Sequence, residues 1–318
     1  MIKVGIVGCK DLYSAELVRI LINHPDVDLM WVCDAECAER RLDDVVPGIV
    51  GECYLTVQRD CPLDEVDLIY LCGNRQEVCA RLGSLNVPDD VNVIDLSGSH
   101  NLDHSEEKAW RYGLSEMQRR LLVHGSRMVT VPGNAAAVSL LALMPLARNL
   151  MLNSPLELHV TMGAGALPDE GKTIDGMSVE AWARDQQQEI TMVLGMCQSS
   201  FSQPVTLSIT SVAERRALAV EARFRCGVDE DTIRQLYEQY YEDHNFVFMV
   251  DRPITIADVE NTNKCLIRIV KDEGSGEVTI HAVTDALLKG CAGNAVHAMN
   301  LLYGLHEKAG LALKGSGR

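Results

Sequence analysis

A strand, a glycine, a helix and a second strand follow one another within the first thirty-odd residues, and this alternation constrains the fold more than any other feature. Residues 3–7 are a short apolar run ending at Gly8, the pattern of a strand buried on both faces. Residues 14–23 place Ala15, Leu17, Val18, Leu21 and Ile22 at helical spacing, and Pro25 stops that helix. Residues 29–33 form a second buried strand with Asp34 at its carboxyl end. Two more apolar runs, 66–72 and 91–96, continue the series, with a helix over 76–85. Strands that alternate with helices in this way close a parallel sheet by right-handed crossovers, so the spacing predicts an α/β, Rossmann-type, doubly wound sheet.

The pattern changes after Pro132-Gly133. A helix begins at about Asn134, and Pro145 is expected to kink or end it. Strand-like runs follow at 156–162, 205–212, 217–224, 265–270 and 278–282, separated by single helices over 189–197 and 231–241. This reads as a second, α+β domain with an open mixed or antiparallel sheet and helices on one face. Glu273-Gly274-Ser275-Gly276 is a hairpin turn between the last two strands, and a helix over 292–302 follows them. The expected division is 1–133 with a returning segment 292–318 for the first domain, and 134–291 for the second.

Composition excludes several classes of partner. The 318 residues carry a formal charge of −16 and a sequence pI of about 5.0, which argues against a nucleic-acid or anionic-membrane surface. A local basic pocket for a small acidic ligand stays compatible with that balance. Eleven cysteines, among them Cys33, Cys72, Cys79 and Cys226, are scattered through apolar stretches without CxxC spacing. They read as buried thiols in a reducing cytoplasm, and no metal site is expected. The opening residues read as a strand, leaving no room for a signal peptide. The run 135–147 is interrupted by Ser139 and Pro145 and is shorter than the ~20 residues a bilayer span needs.

Strand, Gly8 and helix make the place where a dinucleotide pyrophosphate can sit, but a tight strand-to-helix turn explains Gly8 equally well. Two longer words are more specific. Leu287-Leu288-Lys289-Gly290-Cys291-Ala292-Gly293-Asn294-Ala295-Val296-His297-Ala298-Met299-Asn300-Leu301 resembles the C-terminal signature of the N-acetyl-gamma-glutamyl-phosphate reductases, of the wider aspartate-semialdehyde-dehydrogenase-like group. Val131-Pro132-Gly133-Asn134, followed by Leu140-Leu141-Ala142-Leu143-Met144-Pro145-Leu146, resembles their active-site turn and helix. Asp95-Leu96-Ser97, Tyr112-Gly113-Leu114, Gly163-Ala164-Gly165, Asn261-Thr262-Asn263-Lys264 and Ala15-Glu16-Leu17 fall where the family has similar words.

The resemblance implies an oxidoreductase of amino-acid (arginine) biosynthesis that reduces an N-acylglutamyl phosphate with NADPH. Its first domain would hold the dinucleotide, and its second would hold the substrate and the oligomer contacts. Four elements of that chemistry depart here. The family's cysteine nucleophile aligns with Asn134, and its acid/base histidine with Gln186, within Arg184-Asp185-Gln186-Gln187-Gln188-Glu189-Ile190. The glycine-rich phosphate loop aligns with Gly8, Asp11 and Ser14, where Asp11 adds a negative charge. The arginine after the Asp-Leu-Ser word aligns with Asn101, whereas Arg216 matches a family arginine.

The resemblance thus assigns Asn134 and Gln186 to the catalytic positions. It assigns Arg216, Asn101 and Ser97 to the substrate, and Gly8, Cys9, Asp11, Ser14, Asp34, Gly163 and Asn294 to an NADP or NAD cofactor. Asp34 favours NAD if it meets a ribose hydroxyl, and is otherwise a solvated loop acid or helix cap. Cys291 is a substitute nucleophile or a packed thiol, with packing favoured, and Cys9 reads as filler. His159 and His297 read as structural. Arg215-Arg216 is either an anion clamp or a surface pair, and Glu242-Asp243 and 103–108 read as solvated. The expectation is a family member whose standard reaction is lost or strongly impaired. The alternative is a catalytically silent paralogue that binds an acidic ligand or partners in a homo-oligomer, dimer or tetramer, alone or with an active relative.

Overall fold

The computed structural model describes residues 1–102, 110–163 and 178–315. The Ala164 and Gly165 of the Gly163 word and the acidic stretch 103–108 therefore lie outside the described residues. The chain divides into two compact units, one of Met1–Pro132 with Cys291–Ala312, the other of Gly133–Gly290.

The first unit begins with β1 (Ile2–Val7), α1 (Leu12–Leu21), β2 (Val27–Cys33) and a one-turn α2 (Leu42–Val45). It continues with β3 (Leu68–Leu71), α3 (Arg75–Ser84), β4 (Asn92–Asp95), β5 (Trp110–Tyr112), α4 (Ser115–Val123) and β6 (Met128–Thr130). Among the described residues the strands form one sheet in the order β2-β1-β3-β4-β6-β5, every pair parallel. The continuous apolar runs explain this: Val4, Ile6 and Val7 of β1 and all four residues of β3 are buried, with no solvent-facing alternation. Helix α1 starts two residues before the spacing predicts, because the Asp11 carboxylate accepts from the Ser14 N–H at 2.6 Å and caps it. Strands β5 and β6 have three residues each, too few to show a period.

The second unit contains α5 (Asn134–Arg148), β7 (Leu156–Gly163), α6 (Val179–Cys197), β8 (Val205–Val212) and β9 (Ala217–Arg225). Then follow α7 (Glu230–Tyr241), β10 (Val247–Met249), β11 (Cys265–Asp272) and β12 (Glu277–Asp285). The sheet order among the described residues is β10-β11-β12-β9-β7-β8, a mixed sheet with parallel pairs at both edges and antiparallel pairs between. Leu156, Leu158, Val160 and Met162 of β7 are buried while Glu157 and His159 are exposed, so one face carries the packed helices α5, α6 and α7. The β11–β12 hairpin turns where the sequence places it, with the Gly276 N–H donating to the Asp272 carbonyl at 2.8 Å. The chain then makes one π-turn over Leu288–Ala292 and forms α8 (Gly293–Leu302), which packs against α1 and α4 of the first unit. Among the described residues no helix is long and apolar enough to cross a membrane.

Pro145 neither ends nor shortens α5, which continues to Arg148. A proline at this position removes the N–H that would bond to the carbonyl four residues back. That carbonyl belongs to Leu141, and the Tyr241 hydroxyl of α7 donates to it at 2.5 Å. The Tyr237 hydroxyl bonds to the next carbonyl, that of Ala142. Every residue from Asn134 to Ala147 is buried, so an unpaired carbonyl here would be costly. Tyr241→Phe is expected to lower unfolding free energy by about 1–3 kcal/mol in chemical denaturation. A variant as stable as the parent would contradict this account.

Candidate functional site

A buried helix start has to find partners for its first N–H groups. At the start of α5 they come from α6. The Gly133 N–H donates to Glu189 Oε1 at 3.0 Å, and the Ala136 N–H donates to Gln186 Oε1 at 3.1 Å. Gln186 and Glu189 are three residues apart, hence on one face of α6, and each is 1% exposed. Asn134, the first helical residue, points its Nδ2 at the Ala286 carbonyl, 3.5 Å away. A Cβ added to Gly133 would stand 2.2 Å from Gln186 Nε2, so glycine leaves room for the Gln186 amide at this helix start. The two positions assigned by resemblance to nucleophile and acid/base are therefore brought together, as amides. Neither amide offers a thiolate or moves a proton near neutral pH. Glu189, which the sequence reading does not single out, fills the same helix end with a carboxylate. Its signal is an acid on the face of α6 that also presents Ile190 and Val193.

In the first unit Gly8 has φ +92°, and an added Cβ would meet the Cys72 carbonyl oxygen at 2.3 Å. The turn is therefore tight whatever it binds. Asp11 turns its carboxylate onto the start of α1: it accepts from the Ser14 N–H, and its own carbonyl accepts from the Ser14 hydroxyl at 2.9 Å. Burial pushes the Asp11 carboxyl above its ordinary value, against the opposing pull of its hydrogen bonds to Ser14.

Asp34 is 0% exposed, which corrects the reading of a solvated loop acid. Its Oδ2 accepts from the Cys9 N–H at 3.3 Å and its Oδ1 from the Glu36 N–H at 3.0 Å. Beside it lie the buried thiols of Cys9 and Cys37. Burial and the nearby Asp34 push the Cys9 thiol up to about 12. Cys79 is exposed, contrary to the expectation of buried thiols there, because α3 turns that side chain to solvent.

Ser97 donates its hydroxyl to Asp95 Oδ1 at 2.6 Å, and His100 meets Asp95 Oδ2 at 2.8 Å while stacking on Trp110 at 3.9 Å. Asp95 and His100, which the sequence reading passes over, thus hold Ser97 in place. Asn101 is buried and accepts a hydrogen bond from the Thr130 hydroxyl. In the second unit Arg216 donates its Nε to Asp285 Oδ2 at 2.6 Å. Asp285, buried, also accepts from the N–H groups of Asn261, Leu287 and Leu288 at 2.8, 2.9 and 3.0 Å. The arginine is therefore engaged by a fixed carboxylate, which favours neither the surface-pair nor the clamp reading alone. Gly163 ends β7 where an added Cβ would collide with the Glu214 carbonyl. Asn294 is buried in α8, Cys291 is a buried thiol in the π-turn, and His297 bonds to Glu307 at 2.8 Å. His159 bonds to the Ser208 hydroxyl at 3.0 Å across β7 and β8.

Two family domains match the chain. The semialdehyde dehydrogenase NAD binding domain covers residues 3–124, and the semialdehyde dehydrogenase dimerisation domain covers 135–286. A protein of Parabacteroides distasonis named N-acetyl-gamma-glutamyl-phosphate reductase is 35% identical over 99% of both chains. The chain belongs to this reductase family. A second relative of the same name, from Phocaeicola vulgatus, is 34% identical over 99% of both chains. The fold recurs in aspartate semialdehyde dehydrogenase II of Vibrio cholerae, with TM-score 0.74 at 14% identity over 95% of this chain and 98% of that one. It recurs also in the Candida albicans aspartate semialdehyde dehydrogenase determined with NADP, with TM-score 0.69 at 12% identity over 98% and 99%.

Two outcomes test this geometry. Gly133→Ala should cost about 1–3 kcal/mol, because it displaces the Gln186 amide from the helix start. Gln186→Ala should recover part of that loss in the double variant, and a thermodynamic cycle with strictly additive effects would count against the contact. Asp11 gives the second. A carboxyl raised by burial contributes most to stability below the ordinary carboxylate range, and that contribution falls as pH rises through the raised value. Asp11→Asn keeps the cap without the charge, so it should stabilise the protein at neutral pH, with the gain vanishing on acidification. A variant no more stable than the parent at neutral pH would refute this sign.

Proposed function

We propose that this protein keeps the N-acetyl-gamma-glutamyl-phosphate reductase frame while the family's reduction is lost or strongly impaired, leaving a catalytically silent protein that binds an acidic small molecule or partners in an oligomer. The supporting observation is the start of α5. The family reaction calls there for a thiolate that attacks the acyl phosphate and expels phosphate, and for a group that moves a proton. The chain supplies the amides of Asn134 and Gln186 instead. The latter is already spent on the Ala136 N–H. Removing one positioned nucleophile or base costs several orders of magnitude in such a unit.

The first unit favours the same reading. A dinucleotide pyrophosphate needs the N–H groups of the α1 start, and Asp11 occupies them with its own carboxylate. Asp34, at the end of β2, accepts one backbone N–H on each oxygen and so keeps lone pairs for a ribose hydroxyl. The match to a semialdehyde dehydrogenase NAD binding domain supports a pyridine nucleotide here, and Asp11 at the α1 start weakens its hold on the pyrophosphate. Within the second unit, Arg216, held by Asp285, is the polar group we assign to a small acidic ligand. The match to a dimerisation domain favours a homo-oligomer, and a mixed oligomer with an active relative follows the same logic.

The deciding assay mixes the purified full chain with N-acetylglutamyl phosphate and NADPH or NADH and follows nicotinamide absorbance, with an active relative as control. Turnover at the no-enzyme level is expected, and turnover near that of the relative would overturn the reading. In a calorimetric titration, the occupied anion site should weaken NADPH by roughly 5- to 150-fold, about 1–3 kcal/mol, relative to an active relative. A low-micromolar dissociation constant would contradict this.

Restoring one group should not restore the reaction. The thiol of Asn134→Cys sits at a helix start and should label with iodoacetamide faster than the buried native cysteines. Reduction should still fail until Gln186→His is added, with Asp11→Gly and Ser14→Gly as well, since groups acting as a unit are not additive. Robust NADPH-dependent turnover by the single variant would show that the lesions are not independent.

A further inference from the structure

The two thiols that flank Asp34, Cys9 and Cys37, have no chemical role in the proposal above. Cys9 follows the Gly8 turn at the end of β1, Asp34 follows β2, and Cys37 lies one short turn further on. That turn is closed by the Cys37 N–H donating to the Asp34 carbonyl at 3.3 Å, which brings the Cys37 thiol back beside the carboxylate. The β1–β2 pairing, with Val7 opposite Cys33, fixes the first residue against the other two. All three side chains are buried, and their ligand atoms lie within 4.8 Å of one another.

We propose that Cys9, Asp34 and Cys37 form a binding site for one soft or borderline divalent cation of the zinc type. Ligand chemistry selects the ion: two sulfurs favour zinc, cobalt or cadmium, whereas magnesium and calcium need an all-oxygen shell. The size also fits. A zinc–sulfur bond is about 2.3 Å, so two sulfurs on a tetrahedral ion stand about 3.8 Å apart. Ligand atoms spread over at most 4.8 Å reach that spacing by side-chain rotations of about 1 Å. Asp34 is held from behind by the N–H groups of Cys9 and Glu36, the outer support that fixes a metal-binding carboxylate. On binding, two sulfur–metal bonds and one oxygen–metal bond form, each thiol releases its proton to solvent, and no electron is transferred. The fourth position is left for water or a ligand atom. The site sits outside the carboxyl ends of β1 and β2, so an ion there would take over Asp34 in the corner where a dinucleotide ribose would otherwise go.

Cobalt is the probe, since thiolate-bound tetrahedral cobalt has an ultraviolet charge-transfer band and intense visible bands. The full chain is stripped with a chelator, kept reduced with a phosphine and titrated. One cobalt per chain with both sets of bands is expected, displaced by zinc and not by magnesium. Cys9→Ser, Cys37→Ser and Asp34→Asn should each weaken binding by at least about tenfold, since losing even an outer-shell support costs 10- to 100-fold. Cys61→Ser and Cys79→Ser should leave it unchanged. Because a core variant can fail to fold, X-ray absorption on the zinc-loaded parent gives an independent reading, with two sulfur neighbours expected. Absence of the charge-transfer band, its persistence when Cys9→Ser and Cys37→Ser are combined, or a shell of oxygen and nitrogen alone would overturn the assignment. None of these outcomes depends on whether the chain reduces an acyl phosphate.

Discussion

The start of α5 is the constraint on which the second unit depends. A helix buried along its whole length cannot leave its first N–H groups bare in a dry interior. Gln186 and Glu189 meet that need, and the absence of a Cβ at Gly133 leaves room for the Gln186 amide. Once α6 is fixed by this contact, its apolar face covers β8, and α5 covers β9 and β12. The region that resembles a reaction centre is therefore also a piece of structural carpentry. Its amides are tied into the fold and not poised above it.

The same principle operates at the other helix start. Asp11 closes α1 with its own carboxylate, and Asp34 is closed by the N–H groups of Cys9 and Glu36. At the α1 start the N–H that an external anion would use has an internal partner here. Self-satisfaction of this kind stabilises a chain while removing the donors a ligand would use.

Much of this was legible in the residues. The buried strands and their helices were readable because a parallel sheet covered on both faces needs uninterrupted apolar runs. Asn134 and Gln186 were placed together by matching words, and the structure does bring them together. What escaped has physical reasons. Strands β5 and β6 are too short to carry a period. The survival of α5 past Pro145 depends on hydroxyls of α7, about a hundred residues away. Asp11 as a cap and Asp34 as a buried acceptor depend on backbone N–H groups, which have no letter in the sequence. The Cys9, Asp34 and Cys37 group is invisible to spacing rules because its members come from the ends of two paired strands. Glu189 was hidden by its type, since an acid on an apolar helix face reads as an exposed edge until its partner is known.

The bond from Tyr241 to the Leu141 carbonyl gives the two residues unequal freedom over evolutionary time. An ancestor with an N–H-bearing residue at position 145 would have had that carbonyl satisfied within α5, and a phenylalanine at 241 would have been tolerated. With proline at 145 the hydroxyl is the partner that the Leu141 carbonyl keeps, so the cost of losing it depends on which residue stands at 145.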